Sequence, residues 1–279
     1  RRRHTRSLCD WSSDVCSSDL GTRLDDITSQ NFSFPCYPQP EQPLVHCHPD
    51  PRVLGLHFAT EVGLACQPKS LLQAIEPLPT GPVLYPDTRR AWLQQLRRTH
   101  EAITAWPQRV AADGVRFFEV VRHLRSLASA DLRLCLDAGT FAAPVYRHFG
   151  FDWPQRLMAP LSGAMGYGVP AAIATALREP QHPVVCMVGD GGFMMTGNEM
   201  ILAVKRQLPI VFILANNGSY GSIRIHQDRA YPGRHPGTDL HNPDFAALAR
   251  GFGMTAQTVD RSEEHTSELQ SHSDLVCRL

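Results

Sequence analysis

Two short motifs in this chain, Gly189-Asp190-Gly191-Gly192 and Asn216-Asn217, have residue types and spacing that imply chemistry. An aspartate carboxylate and an asparagine carboxamide oxygen are hard oxygen donors suited to Mg²⁺. Gly191 and Gly192 carry no side chain, so backbone N–H groups there can approach a phosphate closely. Mg²⁺ held by one or two side chains completes its octahedron with phosphate oxygens. Brought to one edge of a sheet, the two motifs describe a metal-bridged diphosphate site. The plainer alternative is a tight turn followed by an Asn-capped loop.

The surrounding pattern predicts the elements that would bring them together. Pro183 to Val188 (PVVCMV) is an apolar run bounded by Pro and Gly, which reads as a buried parallel strand. Asp190 then falls just past its carboxyl end, where open α/β sheets bind ligands. Thr196 and Glu199 match the T-x-x-E capping box of a helix continued by Met200, Ala203, Val204 and Leu208. Pro209 opens a second strand, PIVFILA, that delivers Asn216-Asn217 to the same edge. Upstream, Gly114 to Ala128 is an amphipathic helix with Phe117, Val120, Val121 and Leu124 inward. Leu132 to Leu136 is a buried strand and Arg156 to Pro160 is extended. Ser162 to Leu177 is a glycine-rich turn followed by a small-residue helix. Residues 218–240 read as a polar loop, and Pro243 to Phe252 as a final helix. Strands alternating with helices predict a doubly wound parallel sheet.

Composition narrows the function classes. The chain has 279 residues, 43% hydrophobic and 19% charged, enough for one large domain or two smaller ones. Its formal net charge of +0 gives no support for nucleic-acid binding, and no apolar run approaches a membrane span. Eight cysteines without C-x-x-C spacing fit a reducing cytoplasm, with Cys135 and Cys186 as small buried hydrophobes. His46-Cys47-His48 reads as a strand with two histidines on one face rather than a metal site. Gly163, Gly166 and Gly168 are spaced G-x-x-G-x-G, which is not the dinucleotide fingerprint, so a nucleotide-binding oxidoreductase is disfavoured.

The pair of motifs, together with LSGAMGYGVPAAIATAL from Leu161, resembles the thiamine diphosphate (ThDP) motif. The family is the ThDP-dependent decarboxylases and carboligases related to acetolactate synthase, and the resemblance runs from about Gly21 to Asp260. It implies ThDP and Mg²⁺ as cofactors, a 2-oxo acid as substrate, and a homodimer or homotetramer for the intact enzyme. FAD, held by some members in a central domain, has no fingerprint here. Asp190 and Asn217 match the metal's side-chain ligands, and the Ser219 carbonyl matches the third. Asn216 matches a loop-ordering residue. Gly191 and Gly192 match backbone contacts to the diphosphate, with Gly139 and Thr140 at a second diphosphate loop and Tyr220 in the cofactor set. Met165 matches the residue that holds the cofactor bent, and the Gly163 carbonyl would receive the aminopyrimidine's amino group. At the position nine beyond Asn217, biosynthetic acetolactate synthases carry tryptophan; His226 stands there instead. With Ser222 it marks the substrate loop, and a broader decarboxylase or carboligase role becomes as fitting as acetolactate synthesis. A noncatalytic ThDP-fold protein is the remaining alternative.

The resemblance also sets the expected layout. Residues 21–85 match the end of a Rossmann-like central domain, 86–108 a charged helical linker, and 109–260 the diphosphate-binding domain. Residues 1–20 and 261–279 resemble translated sequencing adapter read from opposite strands, and are left out of the expected fold. The family's activating glutamate belongs to an N-terminal domain, so the chain is expected to be a fragment with cofactor-ligand chemistry but no turnover of its own.

Overall fold

The strand-forming runs alternate between two apolar environments, and this alternation builds the larger part of the molecule. The computed structural model describes residues 17–76, 86–107, 115–259 and 274–278. The chain divides into two units, Arg1–Pro86 and Asp87–Leu279.

In the first unit, β1 (Ser17–Leu20), β2 (Leu44–Cys47) and β3 (Val62–Leu64) form a parallel sheet in that order, followed by α1 (Pro68–Ile75). Leu24, Leu44 and Phe58 make its small core. His46 on β2 and His48 just beyond its end have ring centroids 6.3 Å apart. His46 Nε2 lies 2.9 Å from the Thr22 carbonyl. No group of three metal-ligating side chains occurs among the described residues.

The second unit opens with the exposed helix α2 (Pro86–Thr104) and then winds a six-stranded parallel sheet in the order β5-β4-β6-β7-β9-β8. Its strands are β4 (Arg133–Leu136), β5 (Arg156–Met158), β6 (Val184–Gly189), β7 (Ile210–Asn216), β8 (Ala256–Val259) and β9 (Asp274–Arg278). Side chains on a strand point alternately to opposite faces. Leu134, Leu136, Val185, Met187 and Ile213 therefore join one core, with α3 (Phe117–Leu127) and α4 (Ala143–His148). Cys135, Cys186, Val188, Phe212 and Leu214 join the other, under α5 (Gly168–Arg178), α7 (Met200–Arg206) and α9 (Phe245–Gly251). Both sheet faces are covered, as continuous apolar strands require. Phe117, Val120, Val121 and Leu124 are the buried face of α3. At the amino edge of the sheet, buried Arg133 donates through Nε to Glu179 at 2.5 Å.

Five expectations change. The helix after β6 begins at Asp190 itself, as α6 (Asp190–Thr196). Thr196 makes no capping bond to the helix it precedes; its hydroxyl donates to the Gly166 carbonyl at 2.9 Å, so the T-x-x-E match serves a tertiary contact. Residues 221–230 are not loop but α8 (Gly221–Ala230), which buries no side chain and so leaves no apolar period to read. A further strand, β8, follows α9. The adapter-like ends also pair: β1 lies beside β2, and β9 lies between β7 and β8. Ladder bonds are made by the backbone, and a strand edge accepts an extended segment with little regard to its side chains.

What positions the carboxyl edge is Asp137, the fully buried residue just after β4. Its Oδ1 accepts from Ala138 N at 2.6 Å and from Gly166 N at 3.0 Å. Its Oδ2 accepts from Gly168 N at 3.0 Å. Burial raises this carboxyl above its ordinary value, against the lowering effect of the amide bonds. A Cβ at Gly192 would lie 3.0 Å from Asp137 Oδ2, and one at Gly168 the same distance from its Cβ, so the carboxylate fits only between glycines.

Two stability outcomes follow. Ile213→Ala, which empties a wholly buried position on β7, should cost about 2–5 kcal/mol in denaturant unfolding. Asp137→Asn turns an amino group onto amide N–H donors and should cost about 1–3 kcal/mol. Because the folded chain holds the Asp137 proton more tightly than the unfolded chain, this group's contribution to stability falls as pH rises from about 4 to its folded value. Unfolding titrations across pH should show that slope in the parent and not in the variant.

Candidate cofactor site at the carboxyl edge

The carboxyl ends of β4, β6 and β7 open onto a cavity of about 320 Å³. Gly139 and Thr140 enter from the turn after β4, and Gly163 and Met165 from the glycine turn before α5. Asp190, Gly191 and Gly192 come from the first turn of α6, and Asn217, Ser219, Tyr220 and Ser222 from the segment after β7. Every residue expected to touch the cofactor or metal thus lines one cavity. His226 does not line it; it is exposed on α8 one turn beyond Ser222, on the same helical face.

Asp190 is the hub of the polar wall, with its side chain almost wholly buried. Its Oδ1 accepts from Gly191 N at 2.9 Å. Its Oδ2 accepts from Gly218 N at 2.8 Å and from Asn242 Nδ2 at 2.7 Å. The Asn242 amide also donates to Asn216 Oδ1 at 2.8 Å, so one carboxamide joins the ends of β6 and β7. Asn217 turns its Oδ1 to the Ser219 N–H at 3.1 Å. The loop carrying these groups is pinned by Leu240 N to Gly218 O and by Tyr220 N to Thr238 O, each 2.8 Å. Gly218, with φ +63°, makes the turn that points Asn217 and Ser219 to the same side.

Apolar side chains also line the cavity: Met165, Phe141 and Ile223, with the Tyr220 ring over Gly191. A Cβ on Gly191 would sit 2.5 Å from the Tyr220 ring and 3.1 Å from the Met165 methyl. The Phe141 ring stacks edge-on against Phe117 at 5.7 Å and covers Gly139 and Gly189. Ser219 Oγ is buried without a hydrogen-bond partner, an uncommon state for a hydroxyl in a folded chain.

Sequence reasoning missed Asn242 and Asp137. Asn242 precedes Pro243 and carries only the signal of a turn. Asp137 sits in an Asp-Ala-Gly-Thr run that reads equally well as a loop. Neither has a fixed sequence distance to the residues it holds, 52 positions away for Asn242 and Asp190, and 29 for Asp137 and Gly166.

Residues 137–273 match the family model described as "Thiamine pyrophosphate enzyme, C-terminal TPP binding domain". The acetolactate synthase large subunit of Haemophilus influenzae is 28% identical over 254 residues, 90% of this chain and 44% of that protein. The acetolactate synthase isozyme 3 large subunit of Escherichia coli is 27% identical, over 92% of this chain and 45% of that protein. The chain therefore spans less than half the length of these curated relatives. Among solved structures, the Rhodococcus jostii RHA1 thiamine diphosphate-dependent 4-hydroxybenzoylformate decarboxylase superposes with a TM-score of 0.67 at 20% identity. That likeness covers 86% of this chain and 44% of the other, and establishes the shared fold. The motifs at the carboxyl edge and the domain matched over residues 137–273 identify that stretch as a thiamine pyrophosphate-binding C-terminal domain, and the relatives support an acetolactate synthase-like family for the chain.

Proposed function

We propose that this chain supplies the diphosphate- and metal-binding half of an enzyme that uses ThDP and Mg²⁺ to decarboxylate or ligate 2-oxo acids. The observation that carries the reading is the convergence of Asp190, Asn217 and Ser219 with Gly139, Thr140 and Gly191 around a single cavity. The donor set is made of hard oxygens, as Mg²⁺ prefers. The orphaned Ser219 hydroxyl offers a further polar contact to a bound diphosphate.

Asp190, the Asn217 carboxamide and the Ser219 carbonyl would hold the metal. Gly139, Thr140, Gly191 and Gly192 would meet the diphosphate through the backbone, with Tyr220 above them. Met165 and the Gly163 carbonyl would orient the cofactor's rings. When bound, the cofactor supplies the carbon nucleophile and electron sink for 2-oxo acid chemistry. The chain's own part is to bind, orient and exclude water. Phe141, Met165 and Ile223 lower the local dielectric, which strengthens attraction between the metal and the phosphates. Asn242 fixes Asp190 toward the cavity by occupying one of its oxygens. Ser222 and His226 belong on the substrate side of α8, where the acid would lie. The relatives' names support the 2-oxo acid class.

A cytoplasmic assembly of two or four copies completes the proposal. Leu161 precedes the glycine turn and Met195 packs beside its Gly166, and both are more than half exposed, a pair of apolar side chains suited to a second copy. No helix of the described residues is long and apolar enough to cross a membrane.

Calorimetric titration of ThDP with and without Mg²⁺ tests this reading. Asp190→Ala should abolish Mg²⁺-dependent binding with the circular dichroism spectrum preserved. Asn242→Ala should weaken it by about 10- to 100-fold, the range for residues that orient a metal ligand. A folded parent chain that binds neither ThDP nor Mg²⁺ would overturn the assignment.

A further inference from the structure

The first unit holds two thiols in contact. Cys47 ends β2, the middle strand of the three-stranded sheet, and is fully buried. Its backbone is fixed on one side by Gly21 N, which donates to the Cys47 carbonyl at 2.8 Å. On the other side, Cys47 is in register with Leu64 of β3. Cys66 follows two residues later, where its N–H turns back to the Leu64 carbonyl at 3.0 Å. This turn brings Cys66 Sγ to 3.6 Å from Cys47 Sγ, and Cys47 Sγ to 3.3 Å from the Cys66 carbonyl.

We propose that Cys47 and Cys66 form a reversible dithiol–disulfide site, closed by a two-electron oxidant of the peroxide class. A disulfide has its sulfurs about 2.05 Å apart, so they must approach by about 1.5 Å. Cys66 lies outside any helix or strand and can supply that movement by side-chain rotation, while Cys47 stays in the ladder.

Exposure divides the roles. Cys66 is partly accessible and meets the oxidant first. Its thiolate attacks one peroxide oxygen: an S–O bond forms, the O–O bond breaks, and water leaves after proton uptake, giving a sulfenic acid. Cys47 sulfur then attacks Cys66 sulfur: the S–S bond forms, the S–O bond breaks, and a second water leaves with the Cys47 proton. The two thiols lose two electrons and two protons, and the peroxide is reduced to two waters. Burial pushes the Cys47 thiol up and shields it from solutes, so its role as the resolving thiol rests on its contact with Cys66 Sγ at 3.6 Å. Any dithiol reductant reverses the reaction by exchange.

The site is independent of the ThDP reading and is tested on the full chain. Reduced protein is treated with hydrogen peroxide, alkylated, digested and mapped by mass spectrometry without reductant. A peptide linking Cys47 to Cys66 is expected, with two of the eight thiols lost and both restored by dithiothreitol. In Cys47→Ser, Cys66 should instead accumulate a dimedone-reactive sulfenic acid and no link. Peroxide that carries Cys66 of the parent to sulfinic acid unlinked, or that links it to Cys36, would overturn the proposal. So would a parent chain in which both thiols survive peroxide unchanged. The parent's linkage map decides the matter even if the variant fails to fold.

Discussion

Asp137 is the constraint on which the carboxyl edge of the larger sheet depends. One carboxylate gathers the N–H groups of Ala138, Gly166 and Gly168, and thereby fixes the glycine turn against the end of β4. The turn carries Gly163 and Met165, and its Gly166 carbonyl receives the Thr196 hydroxyl from the end of α6. A carboxyl buried this deeply is tolerated because amide donors replace water around it. The cost is visible in its raised pKa, and the return is a rigid corner joining β4, α5 and α6.

The second organising centre is Asp190, and the two differ in kind. Asp137 is closed in by glycines on both sides, so its oxygens serve structure. Asp190 sits at the cavity wall, held by Gly191, Gly218 and Asn242. Backbone and carboxamide donors orient the carboxylate at the cavity wall. One buried acid braces the glycine turn and the other faces the cavity. This division explains why both lie at the ends of neighbouring strands.

The sequence was most legible where burial dictates composition. β4, β6 and β7 are buried on both faces, and their unbroken apolar runs announce them. The inward face of α3 has the helical period that an amphipathic surface helix must have. Legibility failed where tertiary partners decide. α8 rests no buried side chain on the sheet, so its sequence, GSIRIHQDRA, carries charge and glycine but no stripe. Thr196 and Glu199 satisfy a local capping rule that the chain spends on Gly166. β9 pairs through backbone groups, which no composition rule discloses. At the site, the glycine and asparagine motifs were readable because a ligand's chemistry limits which residues can touch it. Asn242 was not, because a residue that positions another needs only the right place in space.

The cavity wall draws on turns and helix ends separated along the chain, from Gly139 to Ser222, and its polar hub needs Asn242 as well. Contacts so distant in sequence close late in folding, after much chain entropy has been lost. No local segment can offer the cavity by itself. A ligand that fits it therefore binds the finished sheet and not the unfolded chain, and at 100 times its dissociation constant it adds about 2.7 kcal/mol to stability. The supply of such a ligand would then govern how much of this protein survives heat or proteolysis.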